Sequence, residues 1–310
     1  MQQTRLNDST LKPATTLRVL ITGANGQLGY ELKRTAPEGF ELLAVDIDQL
    51  DITAASAVNA FFKEHQPDAV INAAAYTAVD KAETDRELAY AVNATGPRFL
   101  AQACADAGIP MVQVSTDFVF DGNQSTPYQP EDKPSPISVY GDSKLKGEQA
   151  VTEILGNKAS IIRTAWVYSA HGNNFVKTML RLMAEKDQLG VVADQIGTPT
   201  RASSLAQACW NACLNLMEGQ EGGMYHWTDA GAASWYDFAE AIQEEAIILG
   251  MLDKRIPVNP IPASAYPTPA KRPSFSVLDK TSAYEQLNMK PLHWRHNLRA
   301  MLEELKRSNV

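Results

Sequence analysis

The strongest constraint on this chain is the turn Thr22-Gly23-Ala24-Asn25-Gly26-Gln27-Leu28-Gly29, set between an apolar run at 17–22 and a helical one. Each glycine has its own purpose there. Gly23 permits a tight turn, Gly26 lets the backbone approach a pyrophosphate, and Gly29 lets the helix pack closely on a sheet. Such triplets also arise by chance, and the spacing is G-x-x-G-x-x-G rather than G-x-G-x-x-G, so context decides. The context is a strand before, a helix after, at the head of a βαβ series. The helix N-terminus offers free N–H groups and partial positive charge to phosphates. Asn25, Gln27 and Leu28 join the three glycines as candidate cofactor contacts.

The series itself sets the fold class. Apolar runs LRVLIT, ELLAVD, DAVINAAA, PMVQVSTDFVF and ASIIRTAWVY alternate with helical stretches QLGYELKRTA, ASAVNAFFKEH, RELAYAVNATGPRFLAQACADAG and SKLKGEQAVTEIL. Strands spaced by helices of this length form right-handed βαβ units. Their near-continuous apolarity suits a sheet covered on both faces. The expectation is an α/β, Rossmann-type doubly wound parallel sheet with a smaller C-terminal α/β substrate domain. Residues 1–16 read as a flexible tail and 17–168 as the dinucleotide-binding domain. Residues 169–310 read as mainly the substrate-binding domain, with some segments free to return to the first. Within that part GMYHWTD reads as a strand, and the proline-rich 256–276 as a long ordered loop.

Bulk properties narrow the function. The 310 residues carry a formal net charge of -8, which argues against general nucleic-acid binding, because phosphate backbones need a positive field. No run approaches the ~20 apolar residues of a membrane span, and the polar start lacks a signal peptide's apolar core. Cys104, Cys209 and Cys213 are too few and too oddly spaced for a disulfide framework, which fits a reducing, cytoplasmic setting. Cys209 and Cys213 share a helix face and read as core.

Two further features carry chemistry. Asp46 ends the second strand, where a carboxylate receives a free ribose 2′-hydroxyl and repels a 2′-phosphate. No Lys or Arg follows within 46–49, so NADH is favoured slightly over NADPH. Tyr140 and Lys144 lie four apart at a helix start and share a face. Of the ten tyrosines, Tyr140 alone has Lys at the fourth position after it. By spacing alone the pair is chance-level. It follows a strand ending in Ser115-Thr116-Asp117, though, and this architecture binds ligands at the ends of parallel strands. An ammonium about 4 Å from the phenol would draw its pKa from about 10 toward neutrality, where a proton donor to a carbonyl works best.

The glycine turn, Asn72-Ala73-Ala74-Ala75, Asn93, the Ser115/Thr116 strand end and Tyr140/Lys144 together resemble the extended short-chain dehydrogenase/reductases. Segments from TGANGQLGYEL to KRPSFSVLD extend the resemblance over nearly the whole chain, toward the branch that reduces 4-keto-sugar nucleotides. The resemblance implies that Tyr140 protonates the C4 oxygen of dTDP-4-dehydro-6-deoxy-L-mannose while reduced nicotinamide delivers hydride. The product would be dTDP-L-rhamnose, for surface polysaccharide. It further implies that Lys144 holds the nicotinamide ribose and that Thr116 bonds the reacting oxygen. Ala73, Ala74 and Ala75 would flank the cofactor, while Thr77, Val79, Asp117 and Trp166 would line the sugar site. Asn174, Arg272 and the segment 195–200 would grip the nucleotide. Dehydratases of the family carry Thr-Asp-Glu at the strand end; here Phe118 replaces the glutamate and cannot take a proton. A homodimer is compatible with the sequence. Members that bridge subunits by magnesium use glutamates; Glu31 stands at one such position and Ser203 at another, so no metal is expected. Alternatives left open are another 4-keto-sugar-nucleotide reductase or epimerase, and a non-catalytic regulatory subunit such as serves a methionine adenosyltransferase.

Overall fold

A computed structural model describes residues 16–308; the expected tail falls, but for its last residue, outside the described residues. The chain begins with β1 (Leu17–Thr22), α1 (Gln27–Arg34), β2 (Phe40–Val45), α2 (Ala55–His65), β3 (Ala69–Asn72), and the short helices α3 (Val79–Ala82) and α4 (Arg86–Tyr90). A wide π-type turn, Ala91–Thr95, leads into α5 (Gly96–Ala107), then β4 (Met111–Thr116), α6 (Val139–Leu155) and β5 (Ala159–Thr164). There follow β6 (Val167–Tyr168), α7 (Phe175–Glu185), β7 (Leu189–Val192), β8 (Ile196–Gly197), β9 (Thr200–Arg201), α8 (Ala202–Met217) and β10 (Met224–His226). The chain ends with β11 (Ala233–Ser234), α9 (Trp235–Ile248), β12 (Val258–Ile261), α10 (Thr281–Gln286) and α11 (Trp294–Ser308).

Six strands form one parallel sheet in the order β10-β5-β4-β3-β1-β2. Successive residues on a strand face opposite ways, so both faces must be covered. Val19, Ile21, Ile71 and Val112 pack with Leu28 and Leu32 of α1 and with α8. Leu20, Val70 and Met111 pack against α2, α5 and α6 on the other side. The late chain therefore re-enters the first body: α8 covers one face, with Cys209 and Cys213 buried in it, and β10 extends the sheet. A second, smaller body gathers α7, α9, α11, β7 and β12 around Phe238, Met301 and Leu302. Among the described residues no helix is long and apolar enough to cross a membrane.

The strand order reverses between β1 and β3, and a buried polar row crosses that point. Thr22 Oγ1 donates to Asn72 Oδ1 (2.5 Å), Asn72 Nδ2 to Gln113 Oε1 (2.7 Å), and Gln113 Nε2 to the Val114 carbonyl (2.8 Å). These side chains are almost fully buried. Unpaired, each would forfeit its hydration with no return; paired, they stitch β1, β3 and β4 at their carboxyl ends.

The stretch 86–108 is expected as one long helix, and the structure is helical from Arg86 to Ala107 with a π-type turn set within it. Pro97 has no N–H to give, and the wide turn at 91–95 accommodates it. That turn carries Asn93 inward. Its Oδ1 accepts the Tyr76 N–H (2.8 Å), and its Nδ2 donates to the Tyr76 carbonyl (3.1 Å) and to Ser143 Oγ (3.0 Å). Gly147 of α6 makes room: a Cβ there would lie 2.1 Å from the Asn93 carbonyl oxygen. Replacing Asn72 by alanine strands the Thr22 hydroxyl and the Gln113 amide in the interior. We expect Asn72→Ala to lower stability by about 3 kcal/mol, read as a drop in the urea midpoint with an unchanged slope.

Candidate active site

A cavity of about 780 Å³ opens at the carboxyl ends of the strands, between the two bodies. The glycine turn forms one wall. Gly23 has φ +68°, and a Cβ on it would meet the Ala74 backbone nitrogen at 2.7 Å. A Cβ on Gly29 would lie 2.1 Å from the Gly23 carbonyl oxygen. The turn is thus pressed against the β3 loop and its own helix, leaving the helix N-terminus open. Asp46 holds the turn in place. Its Oδ2 accepts the Asn25 N–H (2.9 Å) and its Oδ1 the Ile47 N–H (2.8 Å).

Tyr140 enters on the first turn of α6, behind the cap Ser138, whose Oγ accepts the Gly141 N–H (3.2 Å). Gly141 allows the helix to start against Phe118, since a Cβ there would sit 2.1 Å from the Phe118 carbonyl oxygen. The Phe118 ring meets Tyr140 edge-on, with centroids 5.4 Å apart. The sequence expectation that Lys144 would draw the phenol toward neutrality is corrected here. Burial pushes the Tyr140 phenol up to about 12; the Thr116 hydroxyl partly offsets this, and the Asp117 charge adds to it. Lys144 is turned elsewhere: its Nζ donates to the Val114 carbonyl at 2.7 Å. Burial lowers the Lys144 ammonium to about 8, against the pull of the Glu148 carboxylate one turn on.

The cavity brings together Gly23, Asn25, Gly26, Gln27, Leu28, Gly29, Asp46, Ala73, Ala74, Ala75, Thr77, Val79, Thr116, Asp117, Tyr140, Lys144 and Trp166. It does not include Asn174, Arg272 or residues 195–200. Arg272 is held by Asp80, Nη2 to Oδ2 at 2.8 Å and Nη1 to Oδ1 at 3.0 Å. Asn174 caps α7 and donates to Gln27 Oε1 (2.9 Å). The 195–200 segment supports Trp166 from behind: the indole lies so close over Gly197 that a Cβ there would be 2.6 Å from it. Trp166 adopts φ +47° and stacks on Trp235 at 3.5 Å. A left-handed backbone costs a non-glycine residue about 1–2 kcal/mol, which the stack offsets. Glu31 is buried, and its carboxylate binds Arg34 at 2.6 Å.

The sequence reading missed Ile47, Asp51 and Thr53 at the end near Asp46, as well as Leu88, Thr164, Gly172 and Asn173. Asp51-Ile52-Thr53 had a local signal, a carboxylate two residues before a threonine whose N–H (2.9 Å) and hydroxyl (2.7 Å) it accepts. The pocket fits a dinucleotide: the glycine cradle has no side chain to fill it. The buried Ser115 Oγ, Thr164 Oγ1 and Asp117 Oδ2 have no partner among the described residues, and their residues line the cavity.

Asp117 is the most perturbed carboxylate of the site. Burial lifts it from 3.8 to about 6, against bonds from Ser276 and Thr116. Between those values the folded chain keeps a proton that the unfolded chain has lost, so this group's contribution to stability falls as pH rises through the window. Asp117→Asn cannot ionise. Its stability relative to the parent is expected to rise from about pH 4 to about pH 6 and then level off. Urea unfolding across that range checks this, and a difference independent of pH would refute it.

A family model described as the RmlD substrate binding domain matches residues 17–307. A dTDP-4-dehydrorhamnose reductase of Aggregatibacter actinomycetemcomitans is 43% identical over 293 residues, covering 92% of this chain and 99% of that one. The crystal structure of a dTDP-4-dehydrorhamnose reductase from Clostridium acetobutylicum matches with a TM-score of 0.86 and 42% identity, over 94% of this chain and 100% of the other. One from Bacillus anthracis, in complex with NADP, matches with a TM-score of 0.85 and 38% identity, over 93% and 99%. With both the glycine cradle and the Tyr140 helix inside the matched region, the chain belongs to the RmlD substrate-binding-domain family, among relatives named dTDP-4-dehydrorhamnose reductase.

Proposed function

We propose that this chain reduces the C4 carbonyl of dTDP-4-dehydro-6-deoxy-L-mannose to dTDP-L-rhamnose with NADPH or NADH, in the cytoplasm. The observation that carries this reading is one cavity holding a glycine cradle, the Tyr140 phenol, buried Lys144 and the Trp166 indole, with Phe118 where a dehydratase needs an acid. Bound there, the reduced nicotinamide supplies hydride.

The chain's own residues handle the proton and the fit. A phenol at about 12 keeps its proton at neutral pH, so Tyr140 waits as a donor until the substrate oxygen gathers charge. The resulting phenolate is eased by the Thr116 hydroxyl. Lys144 is placed to bind ribose hydroxyls while its carbonyl bond to Val114 fixes its direction. The unpartnered Asp117 oxygen is suited to a sugar hydroxyl, and the part of the Trp166 indole that lines the cavity to the apolar side of a deoxysugar. The Asp46 carboxylate supports NADH, and Lys144 is the sole lysine or arginine among the lining residues. The NADP held by the Bacillus anthracis relative supports NADPH. We therefore expect turnover with both.

Loss of reduced-nicotinamide absorbance with the 4-keto-sugar nucleotide tests the proposal, and no turnover with either cofactor would sink it. An epimerase would show no net oxidation. Tyr140→Phe is expected to slow kcat by about 10³-fold with NADH binding intact. In the parent, kcat/KM should decline above about pH 8, as the Lys144 ammonium loses its proton. A profile flat to pH 10 would remove Lys144's charge from the mechanism.

A further inference from the structure

The six residues at 169–174, between β6 and α7, cross from the second body onto the glycine turn. The loop is braced from within. Ser169 Oγ donates to the His171 carbonyl (2.7 Å) and accepts the His171 N–H (3.0 Å). Asn174 Nδ2 donates to the Ser169 carbonyl (2.7 Å), and Lys177 Nζ to the Ala170 carbonyl (3.2 Å). Gly172 has φ +71°, a turn that a side chain would strain.

Three contacts join this loop to the first body. His171 Nε2 lies 3.1 Å from the Asn25 carbonyl oxygen. A carbonyl only accepts, so Nε2 carries the proton. The same imidazole lies flat on Tyr30, with centroids 4.3 Å apart and planes 6° apart. Asn174 Nδ2 donates to Gln27 Oε1. All three partners belong to the glycine turn or the first turn of α1. Gly172 and Asn173, at the loop's centre, line the cavity. The turn is one wall of the pyrophosphate site, and this loop stands over it as a second.

We propose that residues 169–174 are a clasp over the pyrophosphate of the bound dinucleotide, latched by His171 on Tyr30 and Asn25, and that this latch sets how fast the dinucleotide leaves. The proposal rests on the cavity being a dinucleotide site. A reductase must exchange its cofactor at every turnover. Two hydrogen bonds and one ring stack are weak enough to part that often and strong enough to slow escape. Cofactor release limits the rate of many enzymes, so the latch bears on turnover as well as on affinity.

The test follows NADH release directly. The full chain is loaded with NADH and mixed in a stopped-flow instrument with excess ADP-ribose, and the decay of NADH fluorescence gives the release rate. His171→Ala is expected to release NADH about tenfold faster. Tyr30→Ala should act likewise, and the double variant should be no faster than the faster single one, since both remove one latch. Tyr30→Phe keeps the ring and should match the parent, which shows that the ring and not the hydroxyl holds the latch. Release from His171→Ala within twofold of the parent, or slower than it, overturns the clasp. A parent that binds NADH yet reduces no 4-keto sugar overturns the substrate reading and leaves the clasp standing. A parent that binds neither NADH nor NADPH overturns both.

Discussion

The row of hydrogen bonds from Thr22 through Asn72 and Gln113 to the Val114 carbonyl is the interaction on which the site depends, because the same carbonyl also receives Lys144 Nζ. Buried amides tolerate one arrangement far better than any other, since a shift of register would leave donors and acceptors unpaired. The row fixes the relative heights of β1, β3 and β4 at the ends that carry chemistry. The glycine turn leaves from β1, the alanine loop from β3, and the Thr116 turn from β4. Their spacing is thus set by polar groups beneath the cavity floor, and Lys144 takes its position from the same row.

The electrostatics follow from burial more than from ion pairing. Tyr140 and Lys144 share a helix face, but the phenol rises and the ammonium falls, each because water is withdrawn from its charged form. A helix face places two side chains side by side; it does not aim them at each other. The result suits a donor that holds its proton until charge develops, with a cation that is cheap to deprotonate nearby. Asp117 moves the same way, up to about 6, and its charge in turn opposes ionisation of the phenol.

The sheet strands of the first half, the glycine turn and the Tyr140/Lys144 pair were legible in the sequence because each rests on a local rule: period, steric need or spacing. What escaped depends on contacts between distant segments. Nothing in MYH says that it will join β5 as the outermost strand of the sheet. Arg272 looked free for a ligand until the fold brought Asp80 to it, 192 residues away in sequence. Trp166 was read as a sugar platform, but its support by Gly197 and Trp235 has no local signature. The loop at 169–174 shows polar residues and a glycine, as any surface loop does; its closeness to Asn25 is a property of the assembled molecule.

The wide turn at Ala91–Thr95 has a consequence of its own. It holds one residue more than an ordinary helical turn would at the same rise, so it acts as a counted spacer. Deleting a single residue there would leave a more regular helix, with α5 still able to reach its place. Asn93 would then no longer face Tyr76 and Ser143, and the loop beside the cofactor would lose its tie to the helix bearing Tyr140. The irregularity is a length code: it keeps two halves of one reaction site in phase, and a change of chain length at this point would separate folding from chemistry.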